Sequence, residues 1–203
     1  MALKSRSAAD GPTPGSSADQ VPEADPVEVA RSICLRQLTM GPRTRHQLAT
    51  ALAKRRVDPE VAEQVLDRLE DVCLIDDETY AAMWVRSRQG SRGLSRRALA
   101  HELRQRGVCE SLVEQALDEV TAEDEYEAAR RLVDKKLPST RALGIETRIR
   151  RLVSMLGRKG YSGGMSMRVV REALNEERAL TLHENQVLSS MDIALSDAAR
   201  VGE

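Results

Sequence analysis

The feature that most constrains this chain is that it repeats itself. Leu48, Leu52, Val57, Val61, Leu66 and Leu69, advanced by 51 positions, land on Leu99, Leu103, Val108, Leu112, Leu117 and Val120. A further shift of 53 reaches Leu152, Leu156, Tyr161, Met165 and Val170. The preceding stretch follows the same shift, Ala30 mapping to Ala81 and Cys34 to Val85. Apolar residues three, four and seven apart line one side of an α-helix. A short helical unit leaves an apolar stripe uncovered, so a chain built this way is expected to stack its units in a row.

Punctuation divides each unit into three helices. Pro26 suits the first turn of a helix and Gly41-Pro42 a helix end. Asp76 and Asp77 sit where the next unit's first helix needs a cap. Gly107 and Gly160 fall between the second and third helices of their units. The expectation is an all-α protein of three tandem three-helix repeats, at residues 26–75, 76–121 and 122–175, forming an elongated, curved array. Extra residues around Pro138–Gly144 read as a loop in the third repeat. Residues 1–25, with Gly11, Pro12, Pro14, Gly15, Ser16, Ser17 and Pro22, are too polar to offset their ordering entropy and read as a disordered arm. Residues 176–203 are weakly periodic and read as a flexible tail, with at most a short helix around Met191–Ala199.

Composition agrees with helices. Aromatic residues make up 2% of the 203 and Phe is absent, whereas strands favour aromatic and β-branched side chains. Three cysteines, Cys34, Cys73 and Cys109, are an odd number without C-x-x-C spacing. They read as reduced thiols of a cytoplasmic protein, not as a disulfide framework or a zinc site. No apolar run has the length of a membrane span, and residues 1–25 lack the apolar core of a signal peptide.

Net charge is only -1, but charge is sorted by helix. Residues 43–56 hold five Lys or Arg and no acid, and residues 57–78 hold nine acids and one Arg. Residues 84–107 hold seven Arg and one Glu, and residues 108–127 eight acids and no base. In the third repeat, residues 128–160 carry ten bases against two acids. Arg97, His101 and Arg104 share a stripe away from Leu99 and Leu103, while Glu110, Glu114 and Asp118 form an acidic one. Stacked repeats should therefore show a basic face and an acidic face. A basic face attracts phosphates or an acidic protein surface.

No catalytic, cofactor or metal motif emerges. There is no P-loop, G-x-G-x-x-G or H-E-x-x-H. Gly160-Tyr161-Ser162-Gly163-Gly164 joins two helices and follows no strand, so it reads as a turn. Asp76-Asp77-Glu78 reads as a helix cap that complements the helix dipole. His46, His101 and His183 lack ligand spacing, and Tyr80 with Trp84 reads as a core or repeat-interface pair. Binding of a macromolecule, not catalysis, is the expectation.

The run Leu74-Ile75-Asp76-Asp77-Glu78-Thr79-Tyr80-Ala81-Ala82-Met83-Trp84-Val85-Arg86-Ser87-Arg88 resembles the central motif of the RecX family, regulators of the recombinase RecA. Arg92 to Val108 and Arg158-Lys159-Gly160-Tyr161-Ser162 resemble it too, and the likeness spans about residues 26–175. Cys73 stands where the family often has Gly, and Arg56 stands at the position of Gly107 and Gly160, so these two turns are expected to differ. The resemblance implies a monomeric helical array that binds RecA or lies in the groove of the RecA–DNA filament. It would limit filament extension, ATP hydrolysis, strand exchange and co-protease activity, in the control of DNA repair and the SOS response. Weak direct contact with DNA would accompany this. The docking charge is then assigned to Arg86, Arg88, Arg92, Arg96, Arg97, Arg104 and Arg106 of repeat two. In repeat three it is assigned to Arg148, Arg150, Arg151, Arg158 and Lys159. Two other readings stand beside it: a direct nucleic-acid binder built on helix-turn-helix-like units, and a structural adaptor.

Overall fold

The computed structural model describes the backbone of residues 25–201, and side chains to His183 and at Gln186. The arm expected at 1–25 lies, apart from Asp25, outside the described residues. All regular elements among the described residues are helical. Repeat one comprises α1 (Pro26–Thr39), α2 (Arg45–Lys54) and α3 (Pro59–Asp71). Repeat two comprises α4 (Asp77–Arg92), α5 (Arg96–Gln105) and α6 (Glu110–Asp118). Repeat three has α7 (Ala122–Lys136), a 3-10 turn at Leu137–Thr140, α8 (Ile145–Arg158) and α9 (Gly163–Val201).

Local chemistry starts and stops these helices. Asp25, Thr44, Asp58, Asp76, Ser95 and Thr121 each accept a backbone N–H of the first turn. Such a cap replaces a helical bond the first turn cannot make, and losing one costs about 1 kcal/mol. Pro26 and Pro59 occupy first-turn positions where no N–H is needed.

Each repeat closes its own core. Leu48, Leu52 and Leu66 of repeat one are fully buried beside Ala30 and Cys34. Leu99, Leu103 and Val113 play that part in repeat two. Leu152, Leu156, Val169 and Val170 do so in repeat three. This corrects the expectation that the apolar stripes are covered by stacking. Three helices enclose each stripe within the repeat, and the three clusters are separate.

The junctions between repeats are polar and built twice to one plan. The turn after the second helix of one repeat sits on the start of the second helix of the repeat before it. Thr44 donates its hydroxyl to the Arg106 carbonyl (2.6 Å), and the Ser95 N–H donates to the Lys159 carbonyl (3.1 Å). The first helix of the following repeat then supplies a carboxylate. Asp77 accepts the Arg45 N–H (2.9 Å), and Glu125 accepts the Arg96 N–H (2.8 Å). Both N–H groups are first-turn donors without a helical partner. Asp76 is thus the cap of its own helix, and Asp77 caps the helix of its neighbour. These bonds tie repeat one to repeat two and repeat two to repeat three, so the repeats follow one another in line.

The two turns expected to differ do not. Arg56 adopts φ 58° where Gly107 has 76° and Gly160 has 94°. All three turns return the next N–H to the buried leucine five residues back: Val57 to Leu52, Val108 to Leu103 and Tyr161 to Leu156. Cys73 likewise takes φ 55°. Beyond residue 175 the sequence predicts at most a short helix around Met191–Ala199, whereas α9 continues to Val201. Its part beyond 175 is tied to repeat three: Glu176 accepts from Arg130, and Glu177 from Arg141 (2.7 Å) and Arg148.

Candidate docking face

The buried leucines orient every second helix. Two residues away along a helix is a rotation of about 200°, so positions flanking a core leucine by two point to solvent. On α5 this exposes Arg97 and His101 on the side opposite Leu99. On α8 it exposes Arg150, Ser154 and Arg158 around Leu152 and Leu156. Arg97, Arg150, Arg151 and Arg158 are exposed, and no ion pair is recorded for them among the described residues.

The remaining arginines assigned to docking have partners inside the molecule. Arg88 lies 4.0 Å and Arg106 3.5 Å from the centre of the Trp84 ring, one guanidinium each, and Tyr80 stacks on the same ring at 5.9 Å. Glu102 collects this cluster. It accepts the Trp84 Nε1–H at 2.9 Å and stands 3.6 Å from Arg88 and 3.9 Å from Arg92. Arg106 also donates to the Glu102 carbonyl at 2.7 Å. Arg96 donates to the Val120 carbonyl (3.0 Å) and reaches Asp118 (3.5 Å). Arg86 pairs with Glu119 at 3.3 Å, and Arg104 forks onto Glu110. Arg148 is largely buried between Thr140 and Glu177. Lys159 donates to the Arg92 carbonyl at 2.7 Å, closing the junction of repeats two and three. Spacing alone could not separate these roles, because a guanidinium that stacks on Trp84 and one that faces solvent are the same letter.

Electrostatics follow the pairs. The Arg104 guanidinium holds the Glu110 carboxyl below its usual range, and Arg130 does the same to Glu176. Burial pushes Asp77 up, against the bond from the Arg45 N–H. Arg45 is itself surrounded by Glu63, Asp67 (2.7 Å) and Glu70 (2.6 Å), so the acidic helix α3 is tied back to the one arginine that opens α2.

Two hollows on the second helices contain no acid. One, of about 480 Å³, is lined by Arg43, His46, Thr50, Lys54 and Arg55 of repeat one together with Gln105 of repeat two. The other, of about 490 Å³, is lined by Lys136, Ser139, Arg150, Arg151, Ser154 and Arg158. The repeat-one residues were missed as candidates. The signal was available, since the same shifts that align the leucines carry His46 onto Arg97 and Arg150. Among the described residues no group of three or more His, Cys, Asp or Glu is placed to hold a metal ion, and no helix is long and apolar enough to cross a membrane.

Three self-contained helical domains in line, joined by turn-to-helix bonds and bearing unpaired arginines on the second helices of repeats two and three, define an all-helical tandem-repeat protein. The chain belongs to the RecX family of regulatory proteins. Family models of the first, second and third three-helix domains of RecX match residues 30–69, 76–117 and 123–170. The regulatory protein RecX of Streptomyces coelicolor is 56% identical over 162 residues, covering 80% of this chain and 86% of that one. That of Thermobifida fusca is 50% identical over 168 residues, covering 83% and 89%. A crystal structure of a regulatory protein RecX superposes with a TM-score of 0.62 at 30% identity, covering 70% of each chain. RecX from Lactobacillus salivarius shares the fold, with a TM-score of 0.66 at 21% identity over 73% of this chain and 97% of that one.

Proposed function

We propose that this protein is a cytoplasmic, monomeric inhibitor of the RecA recombinase. It binds RecA or the groove of the RecA–DNA filament and limits filament extension. ATP hydrolysis, strand exchange and co-protease activity fall as a consequence, which places it in the control of DNA repair and the SOS response. Membership of the RecX family supports this reading, and so does one structural observation: unpaired arginines recur on the second helices of repeats two and three, which lie in line. A row of rigid domains with like faces suits a partner that is itself a repeating polymer.

Docking charge is assigned to Arg97, Arg150, Arg151 and Arg158, which have no recorded internal ion pair. Arg88, Arg106 and Arg148 belong to packing instead. Exposed charges chiefly set encounter rate and orientation. The Arg97→Glu, Arg150→Glu double variant should therefore inhibit less while keeping its helical signal. The deciding measurement is single-stranded-DNA-dependent ATP hydrolysis by RecA, titrated with this protein at fixed salt. Inhibition well below one molecule per RecA supports action on the filament. Unchanged hydrolysis at equimolar protein removes the reading.

A further inference from the structure

The repeat register shows more than the leucines. Around Leu48 and Leu52, α2 turns outward His46, Thr50 and Lys54. Shifted by 51, these positions are Arg97, His101 and Gln105 of α5, all exposed. Shifted again by 53, they are Arg150, Ser154 and Arg158 of α8, all exposed. Every one of the nine is a hydrogen-bond donor and none is an acid. The stripe occupies the same place on each second helix because the same two buried leucines set the rotation of each.

Its surroundings reinforce it. The hollows beside the first and third stripes are lined without Asp or Glu, and each adds further donors, Arg43 and Arg55 in one and Lys136 and Arg151 in the other. Arg43 lines the first hollow, and its Nε is buried with no hydrogen-bond partner among the described residues. Gln105 reaches into that hollow from the next repeat, so the stripes of repeats one and two run into each other across the junction. The middle stripe is flanked by Glu102, which Trp84, Arg88 and Arg92 already occupy.

We propose that this track binds the sugar-phosphate backbone of duplex DNA, about one phosphate cluster to each repeat, without reading bases. The inference rests on the reading above, in which the protein works on a DNA-bearing filament, and deepens it by naming what this face touches. The residue types decide between phosphates and an acidic protein surface. Arg, Lys, Ser, Thr and Gln side chains are the groups that contact DNA phosphates. Protein interfaces instead centre on buried aromatic and apolar anchors. Among the described residues α2 and α5 carry no exposed large apolar side chain, and α8 carries only Ile145 at its first position, off the stripe. None of the nine is a Phe, Tyr or Trp, the large rings on which an unpaired base would stack.

The test is the salt dependence of binding to a labelled duplex oligonucleotide of arbitrary sequence, using the full chain. For a duplex the log–log slope is about -0.9 per phosphate neutralised. Lys54→Ala with Arg55→Ala in repeat one, Arg97→Ala in repeat two, and Arg150→Ala with Arg158→Ala in repeat three should each flatten the slope by about one phosphate. The three sets combined should flatten it by about three. Arg68→Ala, on the acidic helix α3, should leave it unchanged, and circular dichroism confirms that each variant folds. Slopes that ignore the track variants while duplex binding persists overturn the proposal. So does the absence of duplex binding at low salt, with track variants instead losing affinity for DNA-free RecA, which assigns the face to protein. Failure of the unaltered protein to inhibit RecA, with slopes behaving as expected, removes the functional reading and leaves the track standing.

Discussion

Gly107 shows what a single residue decides here. Its φ of 76° favours glycine, and an added Cβ would stand 2.1 Å from Cγ of His46. Gly160 is confined in the same way, 2.4 Å from Oγ of Ser95. Arg56 holds the same turn with φ 58°, and its side chain is exposed. Glycine is therefore demanded by the junction more than by the turn. Gly107→Ala should cost about 2 kcal/mol or more in chemical denaturation, the sum of a left-handed backbone and a clash. Arg56→Gly should change stability by less than about 1 kcal/mol, because relief of strain offsets added chain entropy. Adjacent carboxyls at the same junction respond oppositely to pH. The Thr79 hydroxyl and N–H hold Asp76 below its usual range, so its stabilisation is present above the ordinary carboxylate pKa and lost as pH falls through its lowered one. Burial raises Asp77, so its contribution weakens as pH rises through its raised pKa. Asp76→Asn should flatten the acid-side loss of stability measured between pH about 7 and about 3. Asp77→Asn keeps an oxygen for the Arg45 N–H and should be neutral or stabilising at pH about 7. The caps were legible as Asp before a periodic run, but that Asp77 serves a different helix was not, because its partner is 32 residues away.

At the scale of elements, period and punctuation located the helices well, since three-and-four spacing survives any tertiary arrangement. The exception is α9. Beyond Asn175 the apolar pattern fades, and the sequence reads as a tail. The first turn of this stretch is anchored, with Glu176 and Glu177 held by arginines of α7, the loop before α8, and α8 itself. An ion pair between distant segments leaves no periodic trace. Arg148 and Glu177 are only 13% and 14% exposed, so removing one partner strands a nearly buried charge. Glu177→Ala should destabilise repeat three on the order of 3 kcal/mol, readable as faster amide exchange confined to α7, α8 and the start of α9. The same change at Glu28, an exposed pair with Arg31, should be near neutral.

Across the whole molecule, three separate cores and polar junctions weaken cooperativity, as expected of repeat arrays coupled only to nearest neighbours. Leu52→Ala opens a cavity in repeat one and should cost about 2–5 kcal/mol there. Trp84, the one tryptophan, reports on repeat two alone. Helicity followed by circular dichroism should then lose a first step at lower denaturant in this variant, while Trp84 fluorescence keeps its wild-type midpoint. Coincident shifts of both probes would show the junctions to be stronger than their few hydrogen bonds suggest. The sequence by itself determined the class of fold, the number of repeats, the positions of the buried leucines and the sorting of charge. All of these follow from local periodicity and intrinsic residue chemistry. Only the tertiary structure decided which arginines are spent on Trp84, Glu110, Glu119 and Glu177 and which remain for a partner, and how one repeat's carboxylate caps its neighbour's helix. Those choices depend on groups brought together from far apart along the chain, a distance that no local pattern encodes.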